Sequence, residues 1–199
     1  MKRIKGFLSK EEGKKLQEIF KKVYSLGPVL EVGTYCGKSA LCFAKIAKEH
    51  NSTVYTVDHH TGSEEHQMGE EYHDQDLYDE RLHKFNTLPE LLTNLVESGL
   101  SNYVIPIVSD SVSSSKNFKR DISVLFIDGG HSLQAALNDY NSWKDKIAKN
   151  GYLLIHDVFP NPEDGGRPPF EIYNLAKKSG DFKDLGIFKT LAILKKTPD

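Results

Sequence analysis

Between Glu31 and Ser39 the chain reads E-V-G-T-Y-C-G-K-S, a turn with two glycines that leads from a short apolar run into a helical pattern. Such a turn lets a ligand approach the backbone and meet the free N–H groups of a helix start. Three kinds of ligand use it. A phosphate-cradling loop needs four residues between its first glycine and G-K-[ST], and only three separate Gly33 from Gly37. A dinucleotide fingerprint, G-x-G-x-x-G, meets Tyr35 at its second glycine and Lys38 at its third. The third ligand, S-adenosylmethionine, has no phosphate and carries an ammonium and a sulfonium, so an acid such as Glu31 beside the turn helps to orient its charged end. Asp58, closing the next apolar run, is placed to accept hydrogen bonds from two ribose hydroxyls. His59 and His60 directly after it border an adenosine or line a substrate pocket.

These residues carry a resemblance. VLEVGTYCGKSALCFA, residues 29–44, resembles the first motif of catechol O-methyltransferases. FIDGGH, residues 126–131, and LLIHDV, residues 153–158, are similar to the macrocin O-methyltransferase-like and cephalosporin-hydroxylase-like branches. The likeness covers residues 29–157 and implies a class I S-adenosylmethionine-dependent methyltransferase. It places Gly33, Tyr35 and Ser39, with Gly37 in the same turn, on cofactor contacts, Asp58 on the ribose acid, and Ser111 on the adenine side, a task that Asp110 shares.

The resemblance also implies a divalent metal held by Asp128, His156 and Asp157, with Asp128 counted among the catalytic and cofactor-contacting residues as well. His156 departs from the acid usual there. Mg²⁺ prefers oxygen ligands and a neutral imidazole suits Zn²⁺, Fe²⁺ or Mn²⁺ better, which leaves the metal's identity and presence open. His131, three residues after Asp128, falls on the position of the general base, and its ordinary pKa of about 6.5 suits proton removal at neutral pH. The bland alternative is a His131 that caps the following helix and a His156 that is merely a hydrogen-bonded strand end. The expected reaction is in-line methyl transfer to the oxygen of a small-molecule acceptor. Two other functions compete with it: a non-catalytic S-adenosylmethionine-binding module, and a P-loop-like phosphotransferase built on Lys38, Ser39 and Asp128.

Positioning such residues requires a sheet. Apolar runs at 29–32, 53–57, 103–108, 123–127 and 152–155 alternate with helical patterns at 39–50, 89–98, 113–118 and 133–147, after a lead-in helix that Ser9 and Glu12 open as a capping box. Strict alternation implies a parallel sheet with helices on both faces. After a helix at 169–178, two runs at 185–188 and 191–194, joined only by Lys189 and Thr190, must form a hairpin. The expected fold is α/β: a Rossmann-like, doubly wound, seven-stranded, mostly parallel sheet with a C-terminal antiparallel hairpin, in one domain over 1–199 with its N-terminal helix inside 1–28. Ligands of such sheets bind beyond the carboxyl ends of the strands, where the residues above all fall. Residues 59–87, rich in histidine and acid, read as a lid or substrate segment, and the loop at 161–169 overhangs the same edge, with Arg167 available to a substrate anion.

Composition narrows the partners. Against 26 Lys and Arg stand 28 Asp and Glu, too even a balance for a nucleic-acid binder that works by bulk charge. No apolar run approaches the roughly 18 residues of a membrane span. Cys36 and Cys42 fit neither a zinc knuckle nor a disulfide framework, which favours a reducing cytoplasm. Self-association is left open.

Overall fold

A computed structural model describes residues 4–62, 74–130 and 132–198. His131, the expected base, and His66 and His73 of the expected lid lie outside the described residues.

The first helix, α1 (Lys10–Val23), begins at a complete capping box in which Ser9 and Glu12 satisfy each other's backbone amides. That cap contributes about 1 kcal/mol. Burial of Leu16, Ile19, Phe20 and Val23 contributes roughly 1.5–3 kcal/mol for each side chain, so packing rather than capping fixes the helix. Then follow β1 (Val29–Val32), α2 (Lys38–His50), β2 (Val54–Asp58), a small hairpin of β3 (Tyr78–Asp79) and β4 (Lys84–Phe85), α3 (Leu88–Glu97), β5 (Val104–Val108), α4 (Ser111–Asn117), β6 (Ile122–Ile127), α5 (Leu133–Trp143), β7 (Ile147–Ile155), α6 (Pro168–Lys178), β8 (Phe182–Phe188) and β9 (Leu191–Lys196).

The main sheet has seven strands in the order β5-β2-β1-β6-β7-β9-β8. β9 runs antiparallel to both neighbours and the other pairings are parallel, as the sequence implies. Chain order reverses between β1 and β6, so a crevice opens beyond their carboxyl ends. Every residue of β6 is buried, as expected for a strand covered on both faces. Val124 and Phe126 pack with Leu16, Phe20, Phe43 and Leu91 on one face. Leu125 and Ile127 pack with Tyr140, Trp143, Ile172 and Tyr173 on the other. None of the described helices is long and apolar enough to cross a membrane.

Two expectations need correction. The helix expected to run to residue 147 stops at Trp143, and β7 begins at Ile147 rather than 152. Ile147 pairs with Ile122, but the register slips before Tyr152 pairs with Val124, and Asn150 turns at φ +66° within the slip. The exposed polar pair Lys149-Asn150 hides this strand start from an apolar-run reading. The β3–β4 hairpin, inside the expected lid, is too short to show a period.

Candidate functional site

Backbone bonds continue one residue past the strands and set the post-strand residues side by side. Gly33 N–H donates to Val57 O at 3.0 Å, Asp128 N–H to Val32 O at 2.8 Å, His156 N–H to Ile127 O at 3.0 Å, and Ser109 N–H to Asp58 O at 3.2 Å. Side chains distant in sequence are thereby brought to one rim.

At the β1–β2 end, Asp58 Oδ2 accepts from the backbone amides of Thr34 at 2.8 Å and Tyr35 at 2.9 Å, and Oδ1 from that of His60 at 2.7 Å. A carboxylate offers about four acceptor sites, so about one remains for a ligand hydroxyl rather than the two expected. Gly33, at φ +84°, is required by packing: a Cβ there would collide with the backbone of Asp128 and Gly129. Gly37, at φ +85°, faces Leu91 of α3. The glycines of the turn thus serve the close approach of strand and helix, and Gly37 does not line the cavity. Tyr35 stacks on Phe85, with ring centroids 6.2 Å apart, and meets Phe7 at 6.1 Å. Lys38 Nζ donates to Gly6 O at 2.7 Å, tying the N-terminal residues to α2.

Glu31 lies beneath this turn with no exposed surface. Neither carboxylate oxygen has a hydrogen-bond partner of good geometry among the described residues. Burial, together with the negative charges of Asp128 and Asp58, pushes its pKa up to about 8, against the opposing pull of the Ser39 and Thr34 hydroxyls. A buried acid without a compensating charge is a place where a ligand ammonium gains most. His60 is also buried; burial lowers its pKa, and Nδ1 meets Thr87 Oγ1 at 2.6 Å. His59 lies on the cavity rim.

Beyond β5, Asp110 and Ser111 both line the cavity, but their side chains have structural work. Asp110 caps α4 by accepting from Ser113 N–H at 2.9 Å. The Ser111 hydroxyl accepts from Trp143 Nε1 at 3.3 Å. Asp139 on α5, unremarked in the sequence, joins this corner: burial and the charge of Asp58 raise its pKa to about 6, with Ser111 opposing.

At the β6–β7 end, His156 is 4% exposed. Its Nδ1 lies 3.0 Å from Asp128 Oδ1 and 3.3 Å from Asp157 Oδ1. Its Nε2 lies 3.6 Å from Glu12 Oε2 of α1. Burial disfavours the imidazolium, but the flanking Asp128 and Asp157 carboxylates prevail and push the pKa up to about 11. Asp128, His156 and Asp157 each offer an atom within 4.8 Å of the others, a spacing suited to a cation. Two ligands at about 2.1 Å from one ion stand ~3.0 Å apart when perpendicular and ~3.4 Å apart at the tetrahedral angle. The observed 3.0 and 3.3 Å fall in that interval and are also those of the Nδ1–H contacts to Asp128 and Asp157, so the donor set can take a divalent ion in exchange for the Nδ1 proton.

One cavity of about 930 Å³ joins the two ends. Small-molecule sites run to roughly 1,000 Å³, so it is at the roomy end. Gly33, Tyr35, Ser39, Asp58, His59, Asp110, Ser111, Asp128 and Asp157 line it; Glu31 and His156 stand behind its wall. The sequence reading missed residues 5–8, Thr34 and Phe159, which also line it. Arg167 faces its own loop: it donates to Phe159 O at 3.1 Å and Pro160 O at 3.3 Å and lies over the Phe170 ring.

A family profile described as methyltransferase domain matches residues 30–158. Solved structures share the fold at low identity. The O-methyltransferase NovP is 15% identical with a TM-score of 0.71, covering 94% of this chain and 80% of its own. The O-methyltransferase TomG from Streptomyces achromogenes, solved with S-adenosylmethionine, is 12% identical with a TM-score of 0.67, covering 96% and 82%. The methyltransferase PaMTH1 of Podospora anserina, bound to S-adenosylhomocysteine, is 14% identical with a TM-score of 0.68, covering 96% and 80%.

Proposed function

The chain belongs to the methyltransferase domain family, and from that membership we propose that it moves a methyl group from S-adenosylmethionine to a hydroxyl oxygen of a small acceptor. The observation that carries this reading is the single cavity with two unlike ends, one suited to an adenosine and the other to a hydroxyl beside a cation. The ligands of TomG and PaMTH1 support the cofactor, and the O-methyltransferase names of NovP and TomG support the oxygen acceptor.

S-adenosylmethionine, when bound, supplies a methyl group to an attacking oxygen, a displacement that demands alignment and a deprotonated nucleophile. Asp58 keeps an acceptor site for a ribose hydroxyl while its other sites hold the turn rigid. Asp128 gives the ammonium end a negative neighbour, and Glu31 behind the wall adds its charge when an arriving ammonium favours its ionised form. Residues 5–8, anchored by Lys38, cover one side and keep water from the reacting atoms.

A divalent ion, when bound, lowers the pKa of an acceptor hydroxyl. Asp128 Oδ1, Asp157 Oδ1 and His156 Nδ1 would hold it. We assign the acceptor's proton to the His131 imidazole, on the support of the family resemblance, which puts the general base three residues after Asp128. The phosphotransferase reading loses support, because the Lys38 ammonium is engaged with Gly6 O.

The test is a transfer assay with methyl-labelled S-adenosylmethionine against a panel of phenols, catechols and sugars, with and without divalent ions. The expected result is an O-methylated product that is lost in His131→Ala. Cofactor binding with no methyl transfer to any oxygen acceptor would overturn the reading.

A further inference from the structure

We propose that Glu12 of α1 is a positioning residue for the cation site. Its buried carboxylate holds His156 with Nε2–H turned toward α1, so that Nδ1 faces Asp128 and Asp157 and the site favours a transition-metal ion over Mg²⁺. The inference rests on the cation reading above and adds a residue and a metal class to it.

Glu12 is 4% exposed, an unusual place for a helix-surface acid. Capping alone would leave its side chain at the surface. Instead the carboxylate is fastened from two sides. Oε2 accepts from Ser9 N–H at 3.1 Å, and Oε1 accepts from Thr190 N–H at 3.2 Å and from the Thr190 hydroxyl at 2.9 Å. Held between the chain's first helix and its last hairpin, the group cannot swing away, and Oε2 stays 3.6 Å from His156 Nε2. That nitrogen is buried and has no closer partner among the described residues.

An imidazole that carries one proton has it on one ring nitrogen and offers the lone pair of the other to a metal. Metal-ligating histidines are commonly oriented in this way by an outer carboxylate, which fixes ring and tautomer and strengthens the donor. A cation held by Asp128 and Asp157 takes the Nδ1 lone pair, and the ring's one remaining proton is then on Nε2, which faces Glu12 on the far side of the ring. One nitrogen with two carboxylates is a donor set that suits Zn²⁺, Co²⁺ or Mn²⁺, whereas Mg²⁺ prefers oxygen alone.

The test uses the full chain, with Co²⁺ and Mg²⁺ titrated calorimetrically into the wild type, Glu12→Gln and Thr190→Val, each checked by thermal melting. The wild type should bind Co²⁺ more tightly than Mg²⁺, Glu12→Gln should lose about 10–100-fold in Co²⁺ affinity, and Thr190→Val, which removes one brace but keeps the carboxylate, should lose less than about threefold. Unchanged Co²⁺ affinity in Glu12→Gln would overturn the role of Glu12 and leave the cation reading standing. Equal losses in both variants would mark a merely structural contact and overturn it too. No divalent ion bound by the wild type would overturn the cation reading and this inference together. Should Glu12→Gln fail to fold, nitrogen-15 NMR of histidine-labelled wild type with Zn²⁺ decides: a protonated Nε2 and metal-bound Nδ1 support the inference, and a metal-bound Nε2 overturns it.

Discussion

Negative charge at the tips of β1 and β2 is met by backbone, whereas at the tips of β6 and β7 it is met by a side chain. Asp58 is satisfied by three amides whose positions follow from the fold and do not change with pH. Asp128 and Asp157 instead face the imidazole of His156, which is itself backed by Glu12. The first arrangement builds a rigid floor. The second can be retuned by single residues, because its balance depends on one titratable ring and on whatever ion joins it.

The largest effect that would sharpen this contrast is expected from His156→Ala. Removing the ring leaves Glu12, Asp128 and Asp157 without their shared partner, and breaking a buried charge pair costs on the order of 3–5 kcal/mol. Urea unfolding in a chelator should show that loss, and a change under about 1 kcal/mol would mean the ring is not the balancing group. Next is Asp58→Ala, which strands three amides at the floor. Affinity for S-adenosylhomocysteine should fall by about 100-fold, since hydrogen bonds to a charged group contribute roughly 1.5–3 kcal/mol each. Retained affinity would show that the turn does not need its carboxylate.

A smaller effect follows from Glu31. Its pKa in the folded chain is about 8 against the ordinary 4.5, so the unfolded chain releases this proton first as pH rises. The group's contribution to stability is whole below about pH 4.5, declines above it and is gone by about pH 8. The melting temperature in chelator should drop by several degrees across that window, and Glu31→Gln should flatten the slope. Smallest is Arg167→Ala. Its guanidinium holds carbonyls of its own loop, so KM for the acceptor should change by less than about threefold, as for most surface substitutions. A tenfold rise in KM would return Arg167 to the substrate.

The strands that hold the site were legible because they are buried on both faces and read as short, mostly apolar runs, interrupted only by Glu31 in Val29–Val32 and by Ser123 in Ile122–Ile127. Asp58, Asp128 and Asp157 could be picked out because they end such runs. Glu12 showed only its local half, the capping box with Ser9. Its partners Thr190 and His156 come from distant parts of the chain, and no spacing rule links them. Residues 5–8 gave no functional signal, since nothing in their pattern shows that Lys38 ties them down beside the cavity. Asp110 and Ser111 do line the cavity, but the sequence does not tell that their side chains turn to α4 and Trp143.

The central claim, an adenosyl cofactor lying across the tips of β1 and β2, is tested most directly by calorimetric titration of the full chain with S-adenosylhomocysteine. The account predicts saturable one-to-one binding at micromolar concentrations. No heat of binding up to millimolar ligand from folded protein would contradict it.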